Sequence, residues 1–92
     1  MALEITNSLE AFQVKGVLDK SNVEKFQSHF KNIFHSTDEL VIDINELKRI
    51  DHVGVSAFEE IYKQSLINRK PFYITGLGSK EMFEHLKTID AA

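Results

Sequence analysis

Leu40-Val41-Ile42-Asp43-Ile44 is a short, nearly continuous apolar run, mostly β-branched, set between two segments patterned at helical spacing. Its length and composition read as a central strand covered on both faces. Upstream, Val23, Phe26, Phe30, Ile33 and Phe34 form a stripe that predicts a helix over about residues 22–34, opened by Ser21-Asn22-Val23-Glu24 as a capping box. Downstream, Val55, Phe58, Ile61, Tyr62 and Leu66 form a second stripe, with Glu59, Glu60, Lys63 and Gln64 on the wet side. Asn68-Arg69-Lys70-Pro71 ends that helix, because proline disfavours helical geometry in the residue before it. A strand so placed restricts the chain to an α/β arrangement.

The flanks extend the pattern. Leu3 and Ile5, then Phe12 and Val14, alternate with polar residues on either side of Ser8-Leu9-Glu10, which predicts two half-exposed strands joined by a turn. Phe72-Tyr73-Ile74-Thr75 reads as a further strand and Gly76-Leu77-Gly78 as a turn. Ser79 then caps a last helix that buries Met82, Phe83, Leu86 and Ile89. The predicted order is β-β-α-β-α-β-α: an α/β fold with a mixed sheet of about four strands, an N-terminal antiparallel hairpin, parallel crossovers and helices packed on the sheet. At 92 residues, without internal repeat or low-complexity segment, the chain reads as a single domain over residues 1–92.

Composition removes several function classes. The chain has no cysteine, so it has no disulfide, thiolate nucleophile or cysteine-based metal site. Its 11 basic and 14 acidic residues are spread along the sequence for a net charge of -3, which leaves no electrostatic footprint for nucleic acid. No apolar run approaches the roughly 18 residues that would insert into a bilayer, and the N-terminus lacks the pattern of a secretory signal, so the expected location is the cytoplasm.

In an open α/β sheet, functional groups collect where helices begin beyond the carboxyl ends of parallel strands. Three loops meet that description, Gly16 to Ser21, Asn45 to Val55 and Gly76 to Ser79, and they contribute Asp19, Asp51, His52 and Ser79. Asp51 stands just before a helix, where a carboxylate caps well, and Asp19 suits a solvated turn. His52 beside Asp51 has no nucleophile to serve, so no enzyme activity is expected. His29, His35, His52 and His85 show no pair at ligand spacing, so no metal site is expected. No phosphate-binding glycine loop is present either, so no cofactor is expected.

Four ordered features carry a family resemblance: Gly16-x-Leu18-Asp19, Leu40-Val41-Ile42-Asp43, Ile50-Asp51-x-x-Gly54 and Ile74-Thr75-Gly76-Leu77. Over almost its whole length the chain resembles a STAS domain, the fold of bacterial anti-sigma-factor antagonists. In that family the helix after the central strand usually opens with Asp-Ser-Ser-Gly, whose second serine is phosphorylated by a partner kinase that doubles as an anti-sigma factor. Here the corresponding residues are Asp51-His52-Val53-Gly54, and Val53 has no hydroxyl to accept phosphate.

The resemblance implies a non-catalytic interaction domain in partner-switching regulation of transcription. Its protein partner would be an anti-sigma factor or serine kinase, and its partner-binding residues Asp19, Asp51, His52, Val53, Gly54 and Ser56. Ser56 matches a position where the family favours a very small residue packed inside the helix, and it is read as core-facing. His52 reads as a solvated loop histidine or a pH-sensitive element of the contact. With Val53 in the serine's place, the domain is expected to stay in its binding state or to be regulated elsewhere. The alternative is a STAS-type regulatory or structural subunit of a membrane transport complex.

Overall fold

The computed structural model describes residues 2–8 and 11–90, with side chains up to residue 88. The turn expected at Leu9 and Glu10 and the burial expected of Ile89 lie outside the described residues.

The first two strands form the expected hairpin. β1 (Leu3–Asn7) pairs antiparallel with β2 (Phe12–Leu18), from Leu3 opposite Gly16 to Asn7 opposite Phe12. Along the other edge of β2, two strands follow one another. β3 (Leu40–Asp43) pairs parallel at Phe12 and Gln13, and β4 (Leu47–Ile50) pairs parallel from Gly16 to Leu18. β5 (Phe72–Thr75) then pairs parallel with β3 along its length. The sheet thus has five strands in four lanes, the third lane holding both β3 and β4.

β4 was not legible in the sequence for a local reason. The chain turns at Asn45 and Glu46, where the Leu47 N–H donates to the Ile44 carbonyl (3.0 Å), and rejoins β2 with one extra residue opposite Val17. An extra residue breaks the two-residue alternation of side chains. Leu47 and Ile50, three positions apart, therefore both pack against the core, while Lys48 and Arg49 between them are exposed.

The helices are α1 (Val23–Phe30), α2 (Ile33–Ser36), α3 (His52–Asn68) and α4 (Ser79–Asp90). One helix was expected over 22–34. It is interrupted because Asn32 adopts a left-handed conformation, φ 56°, which asparagine tolerates better than most residues. Phe34 still reaches the core from α2, whose far end is tied down by Lys70 Nζ donating to the Phe34 and Thr37 carbonyls. The capping box does not form. Asn22 precedes α1 without bonding it through its side chain, since the Ser21 hydroxyl donates to Asp19 Oδ1 (2.5 Å) instead. Ser79 is the first residue of α4 rather than its cap, and the helix ladder begins with the Met82 N–H on the Gly78 carbonyl (3.2 Å).

Burial shows that β3 is covered on one face only. Leu40, Ile42, Phe72 and Ile74 are buried, whereas Val41 is half-buried and Tyr73 and Thr75, on the opposite face, are exposed. Helices α1 and α4 each pack against α3 over the buried face, and the enclosed cluster includes Val14, Leu18, Phe26, Phe58 and Leu86. Truncating a fully enclosed ring such as Phe58 to alanine costs roughly 3–5 kcal/mol. α3 turns Gly54, Ala57, Phe58, Ile61 and Ser65 inward. Leu66, expected in that stripe, is 45% exposed because Ser65 takes the inward position, its hydroxyl donating to the Tyr62 carbonyl (2.6 Å). No helix among the described residues is long and apolar enough to cross a membrane.

Candidate functional site

Asp51 occupies the single residue between β4 and α3, in extended conformation, φ -98° and ψ -179°. From there its carboxylate reaches two chain segments at once. Oδ1 accepts from the Gly54 N–H (2.9 Å), which caps α3, and Oδ2 accepts from the Lys20 N–H (3.1 Å) in the loop after β2. Its own N–H donates to the Leu18 carbonyl (3.2 Å), and its carbonyl accepts from the Val55 N–H (3.0 Å). Capping is thus half of its role. The other half is to clamp a loop 31 residues away in sequence onto the helix start.

These bonds explain the electrostatics. The Gly54 N–H, against a smaller opposing effect of desolvation, holds the Asp51 carboxyl below its ordinary value of 3.8; the Lys20 N–H, His52 and the Val53 N–H act in the same direction. Donors to the charged form favour ionisation. Since the carboxylate is engaged by Gly54 and Lys20, it does not orient the imidazole of His52.

Asp19 organises its loop from within. Its Oδ1 accepts from both the Ser21 N–H (2.9 Å) and the Ser21 hydroxyl, while its N–H donates to Asn22 Oδ1 (3.0 Å). Asn22 Nδ2 in turn donates to the Val17 carbonyl (2.9 Å), so this side chain braces the loop instead of capping α1. The pattern is that of an Asx turn.

Gly54 brings the two segments into contact. A Cβ at this position would lie 2.7 Å from Ile50 Cγ1 and 2.9 Å from both Leu18 Cγ and the Leu18 carbonyl oxygen, so only glycine lets the first turn of α3 close onto the ends of β2 and β4. The surface above this contact carries Lys20, Ser21, His52 and Ser56, all exposed, with Val53 half-buried among them. Ser56 was expected to face the core. It lies outward because it sits one turn beyond His52, on the side of α3 opposite its buried face, and Ala57 is the small residue that packs inside.

The third expected loop, Gly76 to Ser79, does not join this cluster through any described bond. It meets Asn45 instead: the Leu77 N–H donates to Asn45 Oδ1 (3.2 Å), and the Ile44 N–H donates to the Thr75 carbonyl (2.9 Å). The carboxyl ends of the strands therefore form two separate junctions. Lys20 and Asn45 were missed as organising residues because Lys20 acts through its backbone, which no side-chain pattern reveals, and Asn45 through a bond 32 residues away.

The model of the STAS domain family matches residues 1–87. A solved structure from Shewanella loihica PV-4, an uncharacterized protein with a SpoIIAA-like fold, is similar with a TM-score of 0.55 at 20% identity, over 87% of this chain and 69% of that one. At that identity the likeness concerns the fold. No match was found among curated proteins. A mixed sheet with an antiparallel first pair and parallel remainder, an Asp51-to-Gly54 turn opening α3 and a family match across nearly the whole chain lead to one assignment: this chain belongs to the STAS domain family.

Proposed function

We propose that the chain, as one domain over residues 1–92, is a non-catalytic protein-interaction domain in partner-switching regulation of the anti-sigma-factor-antagonist kind. Its contact surface is the Asp19 loop together with the junction from Asp51 to Ser56. The observation that carries this reading is the Asp51 carboxylate, which joins both segments into one surface by bonding Gly54 and Lys20. Val53 stands half-buried within that surface, at the position the family uses for its phosphoacceptor, and it has no hydroxyl. The contact is therefore held in its binding state unless another group regulates it.

Charge at position 53 tests the reading. Phosphate adds about -1.5 to -2 units at neutral pH, and Val53→Asp supplies part of that at the same point without enlarging the core. Affinity capture from the source cell should recover an anti-sigma factor or serine kinase with the natural protein and lose it with Val53→Asp. Recovery of the same partners by both forms would reject this contact surface, and recovery of transporter subunits would move the domain to a membrane transport complex.

A further inference from the structure

The third lane of the sheet is longer than the fourth. β5 ends at Thr75, level with Asp43, and the chain then leaves through Gly76 (φ 99°) and Gly78 (φ 88°) into α4. β4 runs on beyond that point, paired with β2 on one edge, and among the described residues no strand pairs with its other edge. Beside that edge lies a groove of about 560 Å³ between β4, the first turn of α3 and the start of α4. It borders the part of the third lane that β5 does not reach.

The walls state what would fit. Ile44, Leu47, Ile50, Val55 and Met82 make the groove apolar, and Leu77 at its rim is 83% exposed. Lys48 and Arg49 line the β4 side, and neither has an ion-pair partner among the described residues. On the α4 side, Glu81 is the acid of the groove, while His85 is already bonded to Glu59 of α3 (2.6 Å). In a chain of net charge -3, two adjacent unpaired cations along an open strand edge are a local reversal of sign.

We infer that the outer edge of β4 takes up an extended segment of a partner protein, with alternating acidic and apolar side chains, as an added strand in this groove. The apolar side chains enter between Leu47, Val55 and Met82, and the acidic ones meet Lys48 and Arg49. A second copy of this chain does not fit, because pairing two β4 edges would set Lys48 and Arg49 against their own counterparts. The two surfaces share only Val55, and the shifts expected here, at Leu47 to Ile50 and Leu77 to Met82, lie outside the Asp51-to-Ser56 junction, so each proposal can fail without the other.

The test uses the labelled protein in solution and the peptide acetyl-Asp-Val-Asp-Val-Asp-Val-amide as probe. Amide NMR shifts should concentrate in Leu47 to Ile50 and Leu77 to Met82, with the Lys-Val counterpart binding about tenfold more weakly or worse. Of two forms N-methylated on alternate residues, the one that blocks main-chain donors facing β4 should lose binding and the other keep it. Since Lys48 and Arg49 are exposed, Lys48→Glu with Arg49→Glu should fold normally and reverse the preference to the Lys-Val peptide. Absence of shifts at millimolar acidic peptide, equal binding of both N-methylated forms, or shifts centred on Lys20 and His52 would each overturn the proposal. So would a β4-dependent dimer in sedimentation.

Discussion

Two junctions at the carboxyl ends of the strands use the same device and produce different surfaces. At one, the Asp51 side chain takes the Lys20 N–H from 31 residues away; at the other, the Asn45 side chain takes the Leu77 N–H from 32 residues away. Each has a glycine at the point of closest approach. At Gly54 an added Cβ would press on the Ile50 and Leu18 side chains and the Leu18 carbonyl, whereas at Gly76 it would lie 2.6 Å from the Asn45 backbone nitrogen. Backbone is the stiffer neighbour. The first junction caps a 17-residue helix and leaves a compact polar surface around Val53; the second turns the chain away and leaves Leu77 exposed beside an unfilled lane. A side-chain clamp of one kind can thus join two loops into one surface or end a strand early, depending on what the next segment does.

The comparison breaks most visibly at Gly76. Gly76→Ala places a side chain at φ 99° and against backbone, so unfolding by urea should show a loss of roughly 3 kcal/mol or more. Gly54→Ala should cost less, roughly 1–3 kcal/mol, because Gly54 does not have the left-handed φ of Gly76 and alanine's better helix propensity offsets part of the clash with Ile50 and Leu18. Its amide shifts should reach Lys20 while leaving Asn45 in place. A cost at Gly54 above that at Gly76 would reverse the ranking of the two junctions.

The smallest effect is the most discriminating. Asp51→Asn leaves one acceptor oxygen for two donors, so its unfolding midpoint at neutral pH should fall below that of the natural protein. The Asp51 carboxyl is held below its ordinary value of 3.8 in the folded state, so its contribution is present above the unfolded value and lost as pH falls through the folded one. The two proteins should therefore converge in stability as the pH drops through that window. A difference that stays constant through it would mean that the clamp does not depend on charge.

The fold was legible to the extent that it was written locally. The stripe through Phe26 and Phe30 and the alternation around Ile5 and Val14 specify their elements by side-chain period, and the run at Leu40 to Ile44 specifies a strand by its β-branched composition; each element appears where expected, although β3 is covered on one face rather than both. β4 was hidden because its extra residue removes that period, and the interruption at Asn32 was hidden because Ile33 and Phe34 continue the apolar stripe across it. For the site, Asp51 as a helix cap was readable from its place before α3. Its bond to Lys20 was not, since a backbone donor has no residue signature.

By itself, then, the sequence determined the α/β class with its opening hairpin, most of the buried stripe on α1, α3 and α4, and the absence of a hydroxyl at position 53. Tertiary structure alone decided that the helices cover one face of the sheet, that the third lane holds two strands, that Ser56 points outward and that the two candidate loops form one surface. The physical reason is range. Periodicity and capping act within one element, whereas lane order, face coverage and the Asp51 clamp come from segments about thirty residues apart, brought together only when the core closes.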